Sequence, residues 1–294
     1  MTDSIRGFWV AIATPIAADG EVDHAALARH AHALFDQHCD GIVLFGTTGE
    51  GPSFSARERL DTAAALLANG IEPARIALGA GFPSIVDSIA LSRDALSLGL
   101  RHMLVLPPYF YRDATPSGLE DAFAAIIDGV DDARLRMMLY HIPQVSGVAI
   151  PPETLAHLRA RYGALLTGVK DSSAEFAQFR AFRAAAPDVT VLVGNEADIG
   201  RALAEGGGGT ICGMGNIVPA LVRAMFDDPN AGSAMASAVR LLGQPFLPMM
   251  KSVIAAATGD AGWSRVRPPL CSMPASLGVA VYEKLHDPVA LAAL

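Results

Sequence analysis

Short apolar runs alternate with longer amphipathic runs along the whole chain. The apolar runs are rich in Val, Ile, Leu and Met, as buried parallel strands are, and the segments between them carry apolar residues at helical spacing. Eight such runs are predicted strands: 8–14, 41–45, 76–81, 102–106, 136–141, 165–170, 189–194 and 209–212. Eight strand–helix repeats predict a closed α/β barrel of the (β/α)8, or TIM, type.

Local start signals mark several of the predicted helices. Ser55 and Glu58 form a capping box, and Thr115 precedes a proline at the first position of the next helix. After the eighth strand the pattern is helical only, and we predict extra helices at Ala231–Ala257 and Pro274–His286. We therefore assign residues 1–228 to the barrel and 229–294 to a helical extension packed on it, as one structural unit.

Composition narrows the class of protein. The 294 residues carry a formal charge of −8 and are 51% hydrophobic, with no basic run that could follow a nucleic-acid backbone. No apolar stretch is long enough to span a membrane, and Met1–Trp9 lacks the apolar core of a signal peptide. Cys39, Cys212 and Cys271 are odd in number and widely spaced, so we expect reduced thiols and a soluble cytoplasmic protein.

The lysines single out one position. The chain has only three, Lys170, Lys251 and Lys284, among 22 basic residues, and Lys170 ends the apolar run L-L-T-G-V-K. In a parallel barrel the active site lies at the carboxyl ends of the strands. A lysine there can become a nucleophile if burial favours its uncharged form. The alternative for a single lysine is that it points its ammonium into water, as we expect for Lys284, while Lys251 is expected to pack or form an ion pair.

Two further strand ends carry groups that can bind or move protons. Gly46-Thr47-Thr48-Gly49-Glu50 follows the second strand, where converging backbone N–H groups can bind a carboxylate and the hydroxyls can pass a proton. A plain βα turn is the alternative. Tyr140 ends the fifth strand, next to the sixth, and is a candidate proton donor and acceptor or else an ordinary core tyrosine.

Taken together, these motifs resemble the dihydrodipicolinate synthase and N-acetylneuraminate lyase family of class I, pyruvate-dependent aldolases. The resemblance covers almost the whole chain. The matching stretches are GTTGE at 46–50, P-P-Y at 107–109, Y-x-I-P…G at 140–147, GVKDS at 168–172, G-N-E at 194–196, the glycine-rich run at 206–216 and R-P-P-L at 267–270.

The resemblance implies a lyase that needs neither a metal nor an organic cofactor and that forms a homo-oligomer, commonly a tetramer. Lys170 matches the lysine that forms a Schiff base with pyruvate, Tyr140 the proton-relay tyrosine and Thr47 its hydroxyl partner. The Thr47–Thr48 backbone matches the group that binds the carboxylate. The remaining positions implied to bind substrate are Thr48, Gly49, Gly194, Glu196, Ile211 and Phe110.

Departures from the family pattern bear on the substrate. Val145 stands where dihydrodipicolinate-forming members place an arginine, and Ala197 and Gly213 stand where sialic acid lyases have polar residues. Phe110 stands where a neighbouring subunit usually contributes a tyrosine, so Tyr109, Tyr111 or water would complete the relay. His141, where asparagine is common, is expected to hydrogen-bond behind Tyr140.

We expect a pyruvate-dependent lyase that cleaves or forms 2-keto-3-deoxy sugar acids, with pyruvate and an aldehyde as its small-molecule partners. The alternatives are a dihydrodipicolinate (4-hydroxy-tetrahydrodipicolinate) synthase, a dehydratase that uses the same imine, and, in a different class, a barrel that binds a 2-oxo acid without converting it.

Overall fold

Eight parallel strands form a closed barrel in sequence order. The computed structural model describes residues 4–228 and 231–287. The strands are β1 (Gly7–Ala11), β2 (Gly41–Leu44), β3 (Ile76–Gly79), β4 (His102–Val105), β5 (Arg136–His141), β6 (Leu166–Asp171), β7 (Thr190–Val193) and β8 (Gly209–Cys212). Each lies within a predicted strand or is shifted from it by one residue, and the predicted (β/α)8 barrel is confirmed.

Helices connect the strands and cover the outside of the barrel. They are α1 (His24–Asp36), α2 (Ala56–Ala68), α3 (Ile85–Ser97), α4 (Pro116–Val130), α5 (Pro143–Ser146), α6 (Pro152–Tyr162), α7 (Phe176–Ala185), α8 (Ile199–Ala204), α9 (Pro219–Ala224), α10 (Ala231–Leu242), α11 (Phe246–Thr258) and α12 (Ala275–Leu285). The Ser55–Glu58 capping box begins α2 as predicted, with both reciprocal hydrogen bonds present.

The helical run predicted at Ala231–Ala257 is two helices, α10 and α11. Gly243 takes a left-handed φ of 63°, which ends α10, and Pro245 then precedes the first residue of α11. Residues 229–230 and 288–294 lie outside the described part of the chain. They are the first two and the last seven residues of the predicted extension. Within the described ranges, no helix is long and apolar enough to cross a membrane.

Alternate residues of each strand face the inside of the barrel, as the two-residue period of a strand requires. Trp9 and Ala11 belong to the interior cluster, whereas Phe8 and Val10 pack outward against the helices. A Cβ on Gly41 would come within 2.6 Å of the Trp9 ring, so the glycine makes room for the indole. Met138 and Tyr140 of β5 belong to the same interior cluster, which orients Tyr140 toward the barrel axis.

Candidate active site

Lys170 lies one residue before the end of β6, inside the mouth of the barrel. Its residue surface is only 4% exposed, and it is paired in register with Tyr140 of β5. The Lys170 Nζ lies 4.3 Å from the centroid of the Tyr140 ring. Lys170 forms no ion pair with any carboxylate of the described residues. The amine is therefore buried, makes no ion-pair contact with a described carboxylate, and lies at the end of the strand where chemistry is expected.

Tyr140 connects this amine to the turn after β2. Its hydroxyl lies 3.1 Å from the Thr47 Oγ1, and either oxygen can donate. Tyr140 is 3% exposed. The two hydroxyls are thus within hydrogen-bonding distance, as transfer of a proton between them requires.

The turn that carries Thr47 and Thr48 is held by bonds to its backbone. Thr14 donates its hydroxyl to the Gly49 carbonyl oxygen at 2.8 Å. Glu50 has a left-handed backbone, with φ of 56°, and its N–H donates to the Thr47 carbonyl oxygen at 3.1 Å. A Cβ on Gly49 would meet the Ile12 carbonyl oxygen at 2.9 Å, so the lack of a side chain at Gly49 allows the turn to pack against the backbone at Ile12.

Glu196 is a buried carboxylate that follows β7, the strand next to the one that carries Lys170. Its Oε1 accepts hydrogen bonds from the backbone N–H groups of Gly213 and Met214 at 2.9 and 3.0 Å. Burial raises the pKa of Glu196, while these two donors and the Lys170 ammonium act in the opposite direction.

These groups surround one cavity of about 380 Å³, open at the barrel mouth. Most of the residues predicted from the family resemblance line it, namely Thr47, Thr48, Tyr140, Lys170, Gly194, Glu196 and Ile211. Of the positions that depart from the family pattern, Val145 and Gly213 also line it, whereas Ala197 is not among its lining residues. Gly49 does not line the cavity; it packs against the backbone of Ile12 and Phe45. Phe110 does not line this cavity; it is 74% exposed and packs edge-on against the exposed Tyr111, with ring centroids 5.3 Å apart.

The cavity also contains residues that were not predicted from the sequence. They are Ile142, Gln144, Ser172, Ala174, Asn195, Gln244 and Phe246. The sequence does carry a signal for Gln144, because it lies in the turn that directly follows Tyr140. In the structure its side-chain amide donates to the Ser172 carbonyl oxygen at 2.6 Å. Gln244 and Phe246 lie at the start of α11, about 75 residues past Lys170. No local motif in the sequence indicates that this helix reaches the barrel mouth.

Two other titratable residues are held away from the amine. Lys251 forms an ion pair with Glu50, with 2.5 Å between its Nζ and Glu50 Oε1, so the expected pairing is present. His141 accepts a hydrogen bond at Nδ1 from the Ile150 backbone N–H at 3.0 Å, which agrees with the expected supporting role. Burial lowers the pKa of His141 to about 4. Within residues 4–228 and 231–287, His, Cys, Asp and Glu side chains form no group of three that could hold a metal ion.

A TIM barrel with a buried lysine and a tyrosine paired at its mouth is the architecture of a class of carbon–carbon lyases. Comparison with known proteins places the chain within that class. The family model described as the dihydrodipicolinate synthetase family matches residues 4–262, and the chain belongs to this family. It is a lyase of the dihydrodipicolinate synthase and N-acetylneuraminate lyase group.

Individual relatives are similar to this chain over most of their length. The chain is 37% identical over 274 residues to an uncharacterised DapA-like lyase of Chloroflexus aurantiacus, covering 90% of this chain and 91% of that one. It is 32% identical over 231 residues to a 4-hydroxy-tetrahydrodipicolinate synthase of Shewanella sp. strain ANA-3, covering 78% and 76%. The crystal structure of dihydrodipicolinate synthase from Agrobacterium tumefaciens strain C58 superposes with a TM-score of 0.88 at 33% identity, covering 99% of each chain.

Proposed function

We propose that this protein is an aldolase that forms a Schiff base between Lys170 and the keto carbon of a 2-oxo acid. The observation that supports this most directly is the Lys170 amine, buried beside the Tyr140 ring, with the Tyr140 hydroxyl 3.1 Å from Thr47 Oγ1. The neutral amine attacks the keto carbon, and loss of water leaves a cationic imine. The turn at Thr47–Thr48 holds the carboxylate through its backbone N–H groups.

Cleavage then follows from the imine. Tyr140, having passed its own proton to Thr47, accepts the proton of the hydroxyl on C4 as the bond between C3 and C4 breaks. The electron pair of that bond forms the C2–C3 double bond, and the π pair of the imine moves onto nitrogen, which gives an enamine and a free aldehyde. Proton return to C3 regenerates the imine, and water releases pyruvate and the lysine. Condensation is the reverse sequence. Thr47 carries the proton between Tyr140 and the substrate or solvent.

We propose 2-keto-3-deoxy sugar acids as the substrates, with an uncharged hydroxy-aldehyde as the second product. Beyond Lys170 and Glu196, every residue lining the cavity is uncharged. Amide and hydroxyl groups of Gln144, Ser172, Asn195 and Gln244 offer hydrogen bonds to sugar hydroxyls. A second carboxylate would find no basic side chain in the cavity wall other than Lys170, whose imine is bound to the 2-oxo acid, and it would face Glu196.

The second candidate is 4-hydroxy-tetrahydrodipicolinate synthesis, which the 32% identity to the Shewanella synthase favours. Val145 argues against it, since it lines the cavity where an arginine would hold the second carboxylate. A panel of 2-keto-3-deoxy sugar acids, together with pyruvate plus aspartate semialdehyde, separates the two. We expect pyruvate release from the sugar acids, read by coupled lactate dehydrogenase. If pyruvate plus aspartate semialdehyde is converted and none of the sugar acids is, the sugar-acid proposal is contradicted. Turnover of a sugar acid without pyruvate release would indicate a dehydratase.

The Schiff base itself is tested with pyruvate and borohydride. We expect reduction to fix a pyruvyl adduct on Lys170, identified by peptide mass spectrometry, and Lys170→Arg to abolish it because a guanidinium stays protonated. Lys284→Arg, on the exposed face of α12, is the matched control and should retain the adduct. An unmodified Lys170 in the wild type would leave a barrel that binds 2-oxo acids without converting them.

We further propose that the protein is a cytoplasmic homo-oligomer, a tetramer or dimer. Three free cysteines, two of them buried, suit a reducing compartment. The exposed pair Phe110 and Tyr111 suits a surface that a second copy covers.

A further inference from the structure

Helix α11 contacts the carboxylate-binding turn through a buried ion pair that the proposed reaction does not use. The Lys251 ammonium and the Glu50 carboxylate lie 2.5 Å apart, and both side chains are completely buried. The other Glu50 oxygen accepts a hydrogen bond from the Arg267 backbone N–H at 2.8 Å. One carboxylate of the turn is thus held by two segments more than 200 residues further along the chain.

Glu50 lies two residues after Thr48 and takes a left-handed backbone. Its N–H donates to the Thr47 carbonyl oxygen at 3.1 Å, so the orientation of Glu50 is coupled to that of the threonines. A non-glycine residue in this conformation costs free energy unless its surroundings hold it there. The bonds from Lys251 and Arg267 fix the far end of this side chain and thereby restrict the turn.

The same helix also forms part of the cavity wall. Phe246, its first residue, lies over Gly213 at the end of β8, where an added Cβ would meet the Phe246 ring at 2.9 Å and Thr48 Oγ1 at 3.1 Å. A shift of α11 would therefore move the cavity wall together with the support of the turn.

Stability alone is a weak explanation for this pair. Burying two charges is costly, and a well-packed apolar pair of similar volume would hold α11 against the barrel as well or better. A second anchor already exists, because the Arg267 guanidinium donates to the Ser53 and Gly20 carbonyl oxygens at 2.9 and 2.8 Å. What the ion pair adds is a directional restraint on Glu50.

We propose that Glu50, held by Lys251 and by the Arg267 backbone, is a positioning residue that orients the Thr47–Thr48 turn for the 2-oxo acid carboxylate and for proton transfer with Tyr140. This inference rests on the proposed Schiff-base function. Neither Glu50 nor Lys251 contacts the reacting atoms in this scheme; they act through the turn.

The double variant Glu50→Gln/Lys251→Met separates positioning from stability. Either single variant leaves an unpaired buried charge or an unsatisfied partner, and we expect it to lower Tm by roughly 10 °C. The double variant removes both charges, so its Tm should return close to the wild-type value. The amide at position 50 can still accept the Arg267 N–H, but the turn has lost the bond from Lys251, so the pyruvate concentration giving half-maximal borohydride trapping of Lys170 should rise about tenfold or more. The same rise should appear in KM for pyruvate in the condensation direction.

A milder variant provides a second measurement. Glu50→Asp keeps the charge but shortens the side chain, so the carboxylate can satisfy Lys251 and Arg267 only by displacing the turn. We expect it to fold and to weaken pyruvate trapping. Glu283→Gln/Lys284→Met, which removes the same two charges from the exposed face of α12, should change neither quantity.

The outcomes are distinct. Recovery of both Tm and pyruvate affinity in the double variant would overturn the positioning role, because the pair would then be purely structural. A double variant that does not fold would also overturn it, since the pair would be required for the fold itself. If wild-type protein forms no pyruvyl adduct, it is the proposed function that fails.

Discussion

At the scale of single residues, two completely or nearly completely buried lysines have opposite environments. Lys251 is neutralised by Glu50 at 2.5 Å, whereas Lys170 has the Tyr140 ring beside it and no carboxylate partner in the described residues. A carboxylate partner favours the protonated form of the amine, which has no lone pair with which to attack a carbonyl carbon. The sequence predicts Lys170 as the nucleophile from its position at a strand end, and this contrast with Lys251 supports that prediction.

Replacing the Tyr140 hydroxyl tests the proton relay. In Tyr140→Phe we expect kcat for pyruvate release to fall by about 10²- to 10⁴-fold, because the C4 hydroxyl loses the group that accepts its proton during cleavage. The borohydride adduct on Lys170 should still form, since the amine is unchanged. Tyr282→Phe on α12, far from the barrel mouth, should have wild-type kcat. An unchanged kcat in Tyr140→Phe would assign the proton transfer to another group.

His141 makes stability depend on pH. Its pKa falls from 6.5 to about 4 on burial, so below pH 6.5 the unfolded state binds a proton that the folded state excludes. The contribution of neutral His141 to the stability of the folded state is therefore complete above pH 6.5 and is lost as the pH falls toward 4. His141→Asn keeps a side-chain oxygen that can accept from Ile150 N–H but cannot titrate. We expect the decrease in Tm between pH 7.5 and 4.5 to be smaller in this variant, and equal decreases would contradict the assignment.

At the scale of elements, the site consists of strand ends, and register determines which side chains meet. Pairing of β5 with β6 sets Tyr140 opposite Lys170, and the end of β7 then approaches the lysine from the other side. A Cβ on Gly194 would lie 1.9 Å from Ser172 Oγ and 3.0 Å from Lys170 Cε. The missing side chain at Gly194 is thus a requirement of this packing.

Adding that side chain should displace the lysine. In Gly194→Ala we expect Ser172 and Lys170 to shift and kcat/KM for pyruvate release to fall about a hundredfold, as sub-ångström to ångström misplacement of a reacting group does. Gly200→Ala is the matched control, because its nearest atom would be the Met225 carbonyl oxygen at 3.7 Å. Circular dichroism confirms folding of both. Equal kcat/KM in the two variants would contradict the packing argument.

At the scale of the whole molecule, Phe110 and Tyr111 are large aromatic side chains left in solvent, 74% and 73% exposed. Covering them removes apolar surface from water, which favours association. We expect sedimentation velocity to show an oligomer for the wild type and a smaller species for Phe110→Ser/Tyr111→Ser. Val86→Ser, at a single side chain 72% exposed, should not change the species. A monomeric wild type would contradict the proposal.

The order of the elements and the main catalytic candidates were readable from the sequence, because both follow from local patterns. Buried strands require continuous apolar runs, a parallel barrel directs attention to their carboxyl ends, and Lys170, Tyr140 and Thr47 lie at those ends in motifs shared with a known family. The break between α10 and α11 was also a local feature, at Gly243 and Pro245, but helical spacing continues on both sides of it and hid the boundary.

Contacts between distant segments could not be read in the same way. Neither the approach of Phe246 to Gly213 nor the pairing of Lys251 with Glu50, 201 positions apart, leaves a periodic pattern in the chain. Such contacts depend on the closed ring of strands and on the path of the helices that follow it, because ring closure brings the first and last strands together. Local residue patterns therefore determine the barrel and the candidate reactive groups at its strand ends, whereas the folded arrangement of remote segments determines how those groups are enclosed and held.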